Sequence, residues 1–491
     1  MSERATVLSR SEKSAKAVVA ASNGRRAERE GELARLSIGN AKHQKSKSSE
    51  RSPNARGEAE CDGDSGEAEL VRQAQASSGR ASLLARALTR ENMVLAWKRV
   101  RANAGSAGVD GLTVGQTAEH LKVHWPQVRE QLLTGNYRPS PVRRVQIPKP
   151  GGGMRELGIP TVTDRLIQQA LLQELQPLID PSFSDHSYGF RPNRRAHDAV
   201  CRAQAYVQAG YRTVVDVDLE RFFDRVNHDV LMDRLGKRIA DQAVLRLIRC
   251  YLQAGIMVHG VVQERYEGTP QGGPLSPLLA NVLLDEVDRE LERRGHRFVR
   301  YADDCNVYVR SQRAGERVMA ALRKRYARLR LKINDAKSSV ARAFGRKFLG
   351  YCLWQGPGGE VKRAIAPKAK ATFKQRVRWL TQRSGGRSMD QVVQDLRGYV
   401  LGWKAYFRLA QTPRVMRELD EWLRHRLRAL QLKQWRRGTT MYRELRALGA
   451  SREHALRIAG NARRWWRNSR YELNRILPIG YFDRLGVPRL S

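Results

Sequence analysis

The sequence has little cysteine, comparatively few acidic residues and no long apolar run. Its five cysteines are odd in number and include no Cys-x-x-Cys pair. This argues against a disulfide framework or a zinc module, and it fits a reducing compartment. They are Cys61, Cys201, Cys250, Cys305 and Cys352. No apolar run approaches the roughly 18 residues of a membrane span, and the polar N-terminus is no signal peptide. The sequence therefore predicts a soluble protein of the cytoplasm.

Acidic residues are outnumbered, with 50 Asp or Glu against 90 Lys or Arg, which leaves a net charge of +40 on 491 residues. Such an excess indicates nucleic acid as the partner. Residues 361–491 hold 31 Lys or Arg against 9 Asp or Glu, and also six of the nine tryptophans. These are Trp379, Trp403, Trp422, Trp435, Trp465 and Trp466. Basic and aromatic side chains together suit phosphate contact and base stacking, although the tryptophans could instead be core residues beside a solvated basic face.

Composition changes along the chain predict four regions. Residues 1–78 are rich in Ser, Ala, Gly, Glu, Lys and Arg and are expected to be disordered, because they cannot bury enough apolar surface to offset chain entropy. Residues 79–360 begin with a helix through Leu83 and Trp97 and then mix short β-rich runs with amphipathic helices. Residues 361–438 indicate helices alone, predicted at 367–383, 388–408 and 412–434. Residues 439–491 are basic, helical at first and irregular around Pro478 and Pro488.

One acidic motif stands out, Tyr301-Ala302-Asp303-Asp304 between two apolar runs. The pattern predicts strand, tight turn and strand, with both aspartates at the tip of a hairpin. Adjacent carboxylates repel each other, and a protein that fixes them together usually binds a divalent cation there. A solvated turn without a ligand is the alternative for these four residues taken alone.

A second acidic motif spans Val214–Asp224 and alternates as a strand up to Asp218 before it becomes helical. An aspartate at a strand end and a hairpin that presents Asp303 can surround two Mg²⁺ ions about 4 Å apart, the geometry of in-line nucleotidyl transfer. Asp216 and Asp224 compete for a ligand role in this motif, and spacing alone does not choose between them.

Two glycine-rich segments accompany the acidic motifs. The loop Gly268–Pro277 has three prolines and three glycines, which allow close backbone approach to a ligand that Gln271 could hydrogen-bond. The segment Ile147–Pro160 predicts a β-hairpin with Lys149 and Arg155 on its two arms, and such cations can bind a triphosphate. A structural loop and a solvated hairpin are the respective alternatives.

With these motifs in this order, the sequence resembles the reverse transcriptases encoded by group II introns, also called maturases. Four further segments carry the resemblance, which runs from about Leu83 to the C-terminus. They are Gly108-Val109-Asp110-Gly111, Tyr188-Gly189-Phe190-Arg191-Pro192, Leu331-Lys332-Ile333-Asn334-Asp335-Ala336-Lys337-Ser338 and Phe348-Leu349-Gly350-Tyr351.

The resemblance implies an α+β right-hand polymerase fold. Residues 79–360 would form the fingers and palm, an antiparallel sheet with helices. Residues 361–438 would form an all-helical thumb, or maturase domain, and residues 439–491 a DNA-binding region. Nothing like the HNH nuclease of many relatives follows Trp466, so the sequence is most similar to endonuclease-lacking, group C-like bacterial members, which need a pre-existing primer.

The resemblance also implies the metal site. Asp218, Asp303 and Asp304 correspond to the family's three catalytic aspartates, and Leu219 would add its backbone carbonyl. Together they would hold two Mg²⁺ ions, for which Mn²⁺ could substitute.

Further residues correspond to the family's dNTP contacts. Phe223 stands at the steric gate that excludes a ribose 2′-hydroxyl, and Gln271 lies in the nucleotide pocket. Lys149 and Arg155 correspond to fingers residues at the triphosphate. Lys337 would protonate the leaving pyrophosphate, although a surface lysine explains it nearly as well.

The implied function is RNA-directed DNA polymerisation, with binding of the parent intron RNA to assist splicing and copying of that RNA at a DNA target during retrohoming. The expected partners are intron RNA, an RNA template, a DNA primer or target and dNTPs, with no membrane, and the protein would join the nucleoid when on target DNA. Two alternatives remain open. One is a domesticated reverse transcriptase, in phage defence or attached to a CRISPR system; the other is an RNA chaperone that does not polymerise.

Overall fold

The computed structural model describes residues 82–148, 154–258 and 261–491. The extension predicted to be disordered, residues 1–78, lies outside the described residues. The first nine described helices are α1 (Leu83–Ala87), α2 (Arg90–Asn103), α3 (Val114–Thr134), α4 (Val162–Ile179), α5 (Ala196–Gln208), α6 (His228–Gly236), α7 (Gln242–Gln253), α8 (Ser276–Arg293) and α9 (Gln312–Arg328). The described strands are β1 (Val142–Pro148), β2 (Met154–Ile159), β3 (Thr213–Val217), β4 (Ile256–Val258), β5 (Val261–Gln263), β6 (Arg297–Tyr301), β7 (Asp304–Val309), β8 (Ser339–Arg342), β9 (Lys347–Phe348), β10 (Tyr351–Gln355) and β11 (Val361–Ile365).

The helix predicted through Leu83 and Trp97 is in fact two helices. The Thr89 hydroxyl donates to the Arg86 carbonyl at 3.0 Å, and the Thr89 backbone is extended, with φ −64° and ψ 150°. α1 thus ends at Ala87 with Leu88 as its C-cap, and the extended backbone of Thr89 marks the start of α2.

A four-stranded antiparallel sheet, here called the palm sheet, has the strand order β6-β7-β3-β8. Its central strand β3 is apolar on both faces: Val214 packs in one hydrophobic cluster, whereas Val215 and Val217 pack in another. Burial on both sides explains why β3 is a nearly continuous apolar run. The exception is Asp216, which is only half-buried and lies close to the end of the strand.

The predicted hairpin around residues 147–160 is present as antiparallel β1 and β2, with Ile147 opposite Arg155. Its sheet has the order β2-β1-β4-β5, and β1 runs parallel to β4. Residues 149–153 lie outside the described residues, and with them the predicted position of Lys149. The fold is thus mixed helix and sheet, as predicted, with one parallel strand pair in addition to the expected antiparallel ones.

A third sheet, with the order β11-β10-β9, precedes the helical C-terminal part. Its helices are α10 (Pro367–Leu380), α11 (Met389–Tyr406), α12 (Pro413–Trp435), α13 (Gly438–Ala447), α14 (Arg452–Gly460), α15 (Trp465–Arg470), α16 (Glu472–Ile476) and α17 (Ile479–Arg484). The first three correspond to the predicted helices within three residues at each end. Proline at the first position of α10 and α12, and a capping box at Ser388 before α11, explain these starts.

The far C-terminal part is more helical than predicted, because α17 lies between Pro478 and Pro488. The domain limits at residues 360 and 438 stay predictions, and the third sheet runs on to Ile365. Within the part of the chain that the structure describes, no helix has both the length and the apolar character needed to cross a membrane.

Candidate active site

Strands β6 and β7 are joined by the acidic turn, residues Tyr301–Asp304, of which only the middle two lie outside the strands. Tyr301 pairs with Asp304, so Ala302 and Asp303 form the tip of the hairpin. Ala302 has a φ of +60°, which lets the two strands reverse direction in so short a loop although alanine rarely adopts it. The hairpin predicted from the sequence therefore exists, and it presents two adjacent carboxylates at one end of the palm sheet.

Asp218 follows directly on the last residue of β3. Val217 pairs with Cys305 on β7, so Asp218 emerges opposite Asp304. Its backbone is fixed by a neighbouring loop: the Asp218 N–H donates to the Ser338 Oγ at 3.0 Å, and the Asn334 N–H donates to the Asp218 carbonyl at 2.8 Å. The register of the sheet thus brings together aspartates that are more than 80 residues apart in the chain.

These carboxylates act on each other electrostatically. Burial, followed by the charges of Asp216 and Asp303, raises the pKa of Asp304 to about 7. Burial and then the nearby Asp218 raise the pKa of Asp303. Burial also raises the pKa of Asp216, with a contribution from Asp218 in the same direction. Crowded, partly buried carboxylates of this kind are stabilised by a bound cation.

The sequence left open whether Asp216 or Asp224 has a ligand role, and the structure places Asp216 beside this cluster. The Arg346 Nη1 lies 3.8 Å from the Asp216 Oδ2. The other candidate, Asp224, lies in a short 3₁₀-helix that follows Asp218 in the chain. Its charge acts on Arg265: burial lowers the pKa of Arg265, and Asp224 opposes this by a smaller amount. The carboxylates of Asp216 and Asp224 therefore face different surroundings.

Three basic side chains surround the acidic cluster besides Arg346. The Lys337 Nζ lies 3.5 Å from the Asp218 Oδ2, and the lysine side chain is 64% exposed. Lys347 lowers the pKa of Asp304, opposing the larger effects of burial and of the neighbouring carboxylates, and Arg155 does the same for Asp303. The sequence analysis identified Lys337 and Arg155 but missed Arg346 and Lys347. These two residues directly precede the motif Phe348–Tyr351, and no sequence motif includes them.

The glycine-rich loop lies between the palm and the β1–β2 hairpin. Gly272 has a φ of +145°, and a Cβ atom there would lie 2.8 Å from the Gly158 carbonyl oxygen of β2. The Thr269 N–H donates to the Phe223 carbonyl at 2.7 Å. These contacts place the loop that contains Gln271 against both the strand of Arg155 and the segment of Phe223.

Phe223 is half-buried, and its ring contacts that of Phe222 edge-on with centroids 5.1 Å apart. Leu219 is 4% exposed and forms an isolated antiparallel bridge with Ile333, which fixes the backbone next to Asp218. Of the predicted site residues, only Lys149 lies outside the described residues.

The site offers carboxylate and backbone carbonyl oxygens as possible ligands for Mg²⁺. Carboxylate and carbonyl oxygens are the ligands this ion prefers, and it usually completes its shell with water and substrate phosphates. Among the described residues, no group of three or more His, Cys, Asp or Glu side chains is already arranged to hold a metal ion. The raised pKa values of Asp303 and Asp304 indicate carboxylates that a cation would stabilise, and Asp218 adds a third carboxylate of the kind that Mg²⁺ binds.

Two regions of the chain match known protein families. Residues 147–353 match the family described as reverse transcriptase (RNA-dependent DNA polymerase), and residues 370–449 match the group II intron, maturase-specific domain. The chain contains a reverse transcriptase domain followed by a group II intron maturase domain. A reverse transcriptase domain implies dependence on divalent metal in general, and the maturase domain favours the intron-related interpretation over a domesticated enzyme or a chaperone.

Several curated proteins are similar to part of this chain. Protein YkfC of Escherichia coli is 38% identical over 195 residues, which is 39% of this chain and 51% of that protein. The group II intron-encoded protein LtrA of Lactococcus lactis is 37% identical over 199 residues, 40% of this chain and 32% of LtrA. Nuclear intron maturase 1 of Arabidopsis thaliana is 28% identical, covering 30% of this chain and 27% of the relative. The chain thus spans about half or less of the length of these relatives.

Among solved structures, a chain of a Cas6-RT-Cas1–Cas2 complex aligns with 50% of this chain and 42% of its own length. The sequence identity is 25% and the TM-score 0.34, a superposition too partial to compare the two architectures.

Proposed function

We propose that this protein is an RNA-directed DNA polymerase that also binds a group II intron RNA, assists its splicing and copies it at a DNA target. The observation that carries the polymerase activity is the convergence of Asp218, Asp303 and Asp304 at one end of the palm sheet. Homology to group II intron-encoded proteins supports the intron as the RNA partner. The site of action would be chromosomal DNA, hence the nucleoid.

In this proposal, Asp218, Asp303 and Asp304, with the Leu219 carbonyl, hold two Mg²⁺ ions, for which Mn²⁺ could substitute. When bound, the ions lower the pKa of the primer 3′-hydroxyl and stabilise charge on the leaving pyrophosphate. Lys337, 3.5 Å from Asp218, donates a proton to that pyrophosphate.

The nucleotide is oriented by side chains around the same pocket. Lys149 and Arg155 bind the triphosphate through charge-assisted hydrogen bonds, Arg155 from strand β2. Gln271 hydrogen-bonds the incoming nucleotide from the glycine-rich loop. The Phe223 ring fills the space that a ribose 2′-hydroxyl would need and so selects dNTPs.

The C-terminal helices are proposed to bind RNA through basic and aromatic side chains. The Arg376 guanidinium lies 4.1 Å from the centroid of the Trp379 ring, and that of Arg383 lies 3.6 Å from the Trp465 ring centroid. Trp379 is 45% exposed, which supports a role in base stacking, whereas Trp465 packs partly against the core. Residues 439–491 are proposed to contact target DNA.

Primer extension tests the polymerase activity. A purified protein, an RNA template with an annealed DNA primer, dNTPs and Mg²⁺ should give extension that chelation abolishes. Asp303→Ala should abolish extension as well. The control Asp233→Ala should leave extension unchanged, because it removes a half-exposed acidic side chain of α6 that pairs with Lys237. RNA binding without extension by the wild-type protein would refute the polymerase and leave the chaperone.

Splicing of the flanking intron tests the second activity. Since assistance of splicing needs binding and no nucleotidyl transfer, Asp303→Ala should still raise the splicing rate of its intron RNA in vitro. If the gene has no flanking intron RNA domains and the protein extends primers without binding structured intron RNA, the domesticated reverse transcriptase is the correct interpretation.

A further inference from the structure

A fully buried arginine lies directly beneath the acidic turn. Arg300, in β6, is 0% exposed, and all its guanidinium nitrogens donate hydrogen bonds. Its Nε and Nη2 donate to the Asp288 carboxylate at 2.6–2.9 Å, and Nη2 also donates to the Ser187 Oγ at 2.8 Å. Its Nη1 donates to the Asn281 Oδ1 and to the Ala302 carbonyl, each at 2.9 Å. One of these acceptors thus belongs to the turn itself.

Stability alone does not explain this buried ion pair. Asp288 is also 0% exposed, and the loss of hydration on burying two charges commonly equals or exceeds their mutual attraction. Apolar replacements of similar volume often match or exceed the stability of such pairs, whereas conformational specificity is the use for which buried polar groups are better suited. The Ala302 carbonyl is the group in this network whose position bears on the carboxylates.

Asn281 connects the arginine to the other side of the turn. Its Nδ2 donates to the Gly189 carbonyl at 2.9 Å, while its Oδ1 accepts from Arg300. The segment of Gly189 runs along β6, where the Tyr188 N–H donates to the Arg300 carbonyl at 2.8 Å. A Cβ atom on Gly189 would lie 2.2 Å from the Ala302 nitrogen. Backbone therefore packs against the turn from one side and the guanidinium holds its carbonyl from the other.

The conformation held in this way is an unfavourable one. Ala302 is 7% exposed and has a φ of +60°, in a region that residues other than glycine seldom occupy. Such backbone conformations are strained and persist only where the surrounding structure determines them. The Arg300 and Asn281 contacts supply that determination for the residue immediately before Asp303.

We propose that Arg300, acting with Asp288 and Asn281, is a positioning residue that holds the Ala302–Asp303 turn, and with it the Asp303 carboxylate, in the conformation that nucleotidyl transfer needs. The inference rests on the proposed polymerase function. Arg300 itself does not reach the reacting groups, because it lies wholly beneath the turn. Its effect on catalysis is transmitted through the Ala302 carbonyl.

Steady-state single-nucleotide extension by Arg300→Met and Asn281→Leu tests the inference. Because a displacement of about 1 Å at a reacting group can lower a rate about 100-fold, kcat per folded molecule should fall by that order while KM for dNTP and affinity for primer-template change little. Asn281→Leu leaves the Arg300–Asp288 pair intact, so this variant provides the test if Arg300→Met does not fold.

The matched control is Arg424→Met. Arg424 is 0% exposed and pairs with Asp420 at 2.7 Å in the C-terminal helices, far along the chain from the turn. It should lower the melting temperature without lowering kcat per folded molecule.

A second substitution separates positioning from general stability. Glycine adopts a φ of +60° without strain, so Ala302→Gly added to Arg300→Met should recover at least about tenfold in kcat without restoring the melting temperature. The inference is overturned if Arg300→Met and Asn281→Leu keep kcat within about twofold of wild type, or if Ala302→Gly gives no recovery. Absence of extension by the wild-type protein would refute the polymerase proposal instead, so the two failures are distinct.

Discussion

Gly189 and Ala302 approach so closely that a side chain at position 189 would lie inside the acidic turn. A Cβ atom on Gly189 would be 2.2 Å from the Ala302 nitrogen and 2.9 Å from the Tyr301 carbonyl carbon. Both obstructing atoms belong to backbone, which cannot rotate away as a flexible side chain can. The motif Tyr188–Pro192 and the aspartates at 303 and 304 are therefore parts of one structure, although more than 100 residues separate them.

Replacement of Gly189 by alanine should displace the acidic turn. We expect Gly189→Ala to lower kcat for primer extension by about 100-fold, since the turn must shift by around 1 Å to admit the methyl group. Gly402→Ala is the control, because a Cβ atom at Gly402 in α11 meets no atom within 4 Å. It should raise the stability by about 0.5–1 kcal/mol, as alanine favours helix over glycine, and leave kcat unchanged. Equal activity of the two variants would contradict the close approach.

The sequence predicted those parts of the fold that local pattern determines. The acidic turn followed from two aspartates between apolar runs, and α10–α12 lie close to the helices predicted at 367–383, 388–408 and 412–434. Pro367, Ser388 and Pro413 at their starts are local signals of this kind. The support beneath the turn could not be predicted in the same way. Ser187 is 113 residues from Arg300 in the chain, and Asn281 and Asp288 belong to helix α8 rather than to β6. No local period reveals which buried polar groups of different elements will meet.

Replacement of Lys337 tests its role as a proton donor. Lys337→Met should lower kcat by roughly 100-fold if the ammonium group protonates the pyrophosphate, because general acid catalysis contributes about 10²–10⁴-fold. Lys337→Arg keeps the charge but gives up a proton poorly, so it should recover affinity for dNTP and little of kcat. Lys332→Met is a matched control, as Lys332 is similarly exposed and lies 3.7 Å from Glu220 in the same region. If Lys337→Met and Lys332→Met behave alike, Lys337 is a surface lysine only.

Replacement of Phe223 tests the steric gate. Phe223→Ala should lower the preference for dNTP over rNTP by about 10- to 100-fold, since the smaller side chain leaves room for a 2′-hydroxyl. The ratio of kcat/KM for dCTP and CTP on one template measures this. Phe222→Leu is the neighbouring control: Phe222 is 3% exposed and packs in the core, so the substitution should lower the melting temperature and leave sugar selectivity intact. Unchanged selectivity in Phe223→Ala would place the gate elsewhere.

Arg378, Arg383 and Arg426 gather around Trp422 and Trp465 in the C-terminal helices. None of the three forms a salt bridge with an acidic side chain among the described residues. Burial lowers the pKa of Arg426, and the charges of Arg378 and Arg383 lower it further. The Arg426 Nε donates to the Thr381 hydroxyl, which fixes the arginine side chain in this position. Cations that are held together without carboxylates are suited to bind phosphate.

Replacement of Arg426 should therefore weaken intron RNA binding and lower its salt dependence. For each phosphate that the variant no longer neutralises, the slope of log K against log salt concentration should fall by roughly 0.7–0.9. The matched control lies on the same helix: Arg414→Gln removes the same charge, but Arg414 is 86% exposed and pairs with Glu418 at 3.0 Å. Filter binding between about 50 and 200 mM salt, a range over which several phosphate contacts together change affinity by about 10³–10⁵-fold, measures both slopes. A fall in slope for Arg426→Gln alone identifies a defined phosphate site, whereas equal changes in both variants would mean that only net charge matters and would refute it.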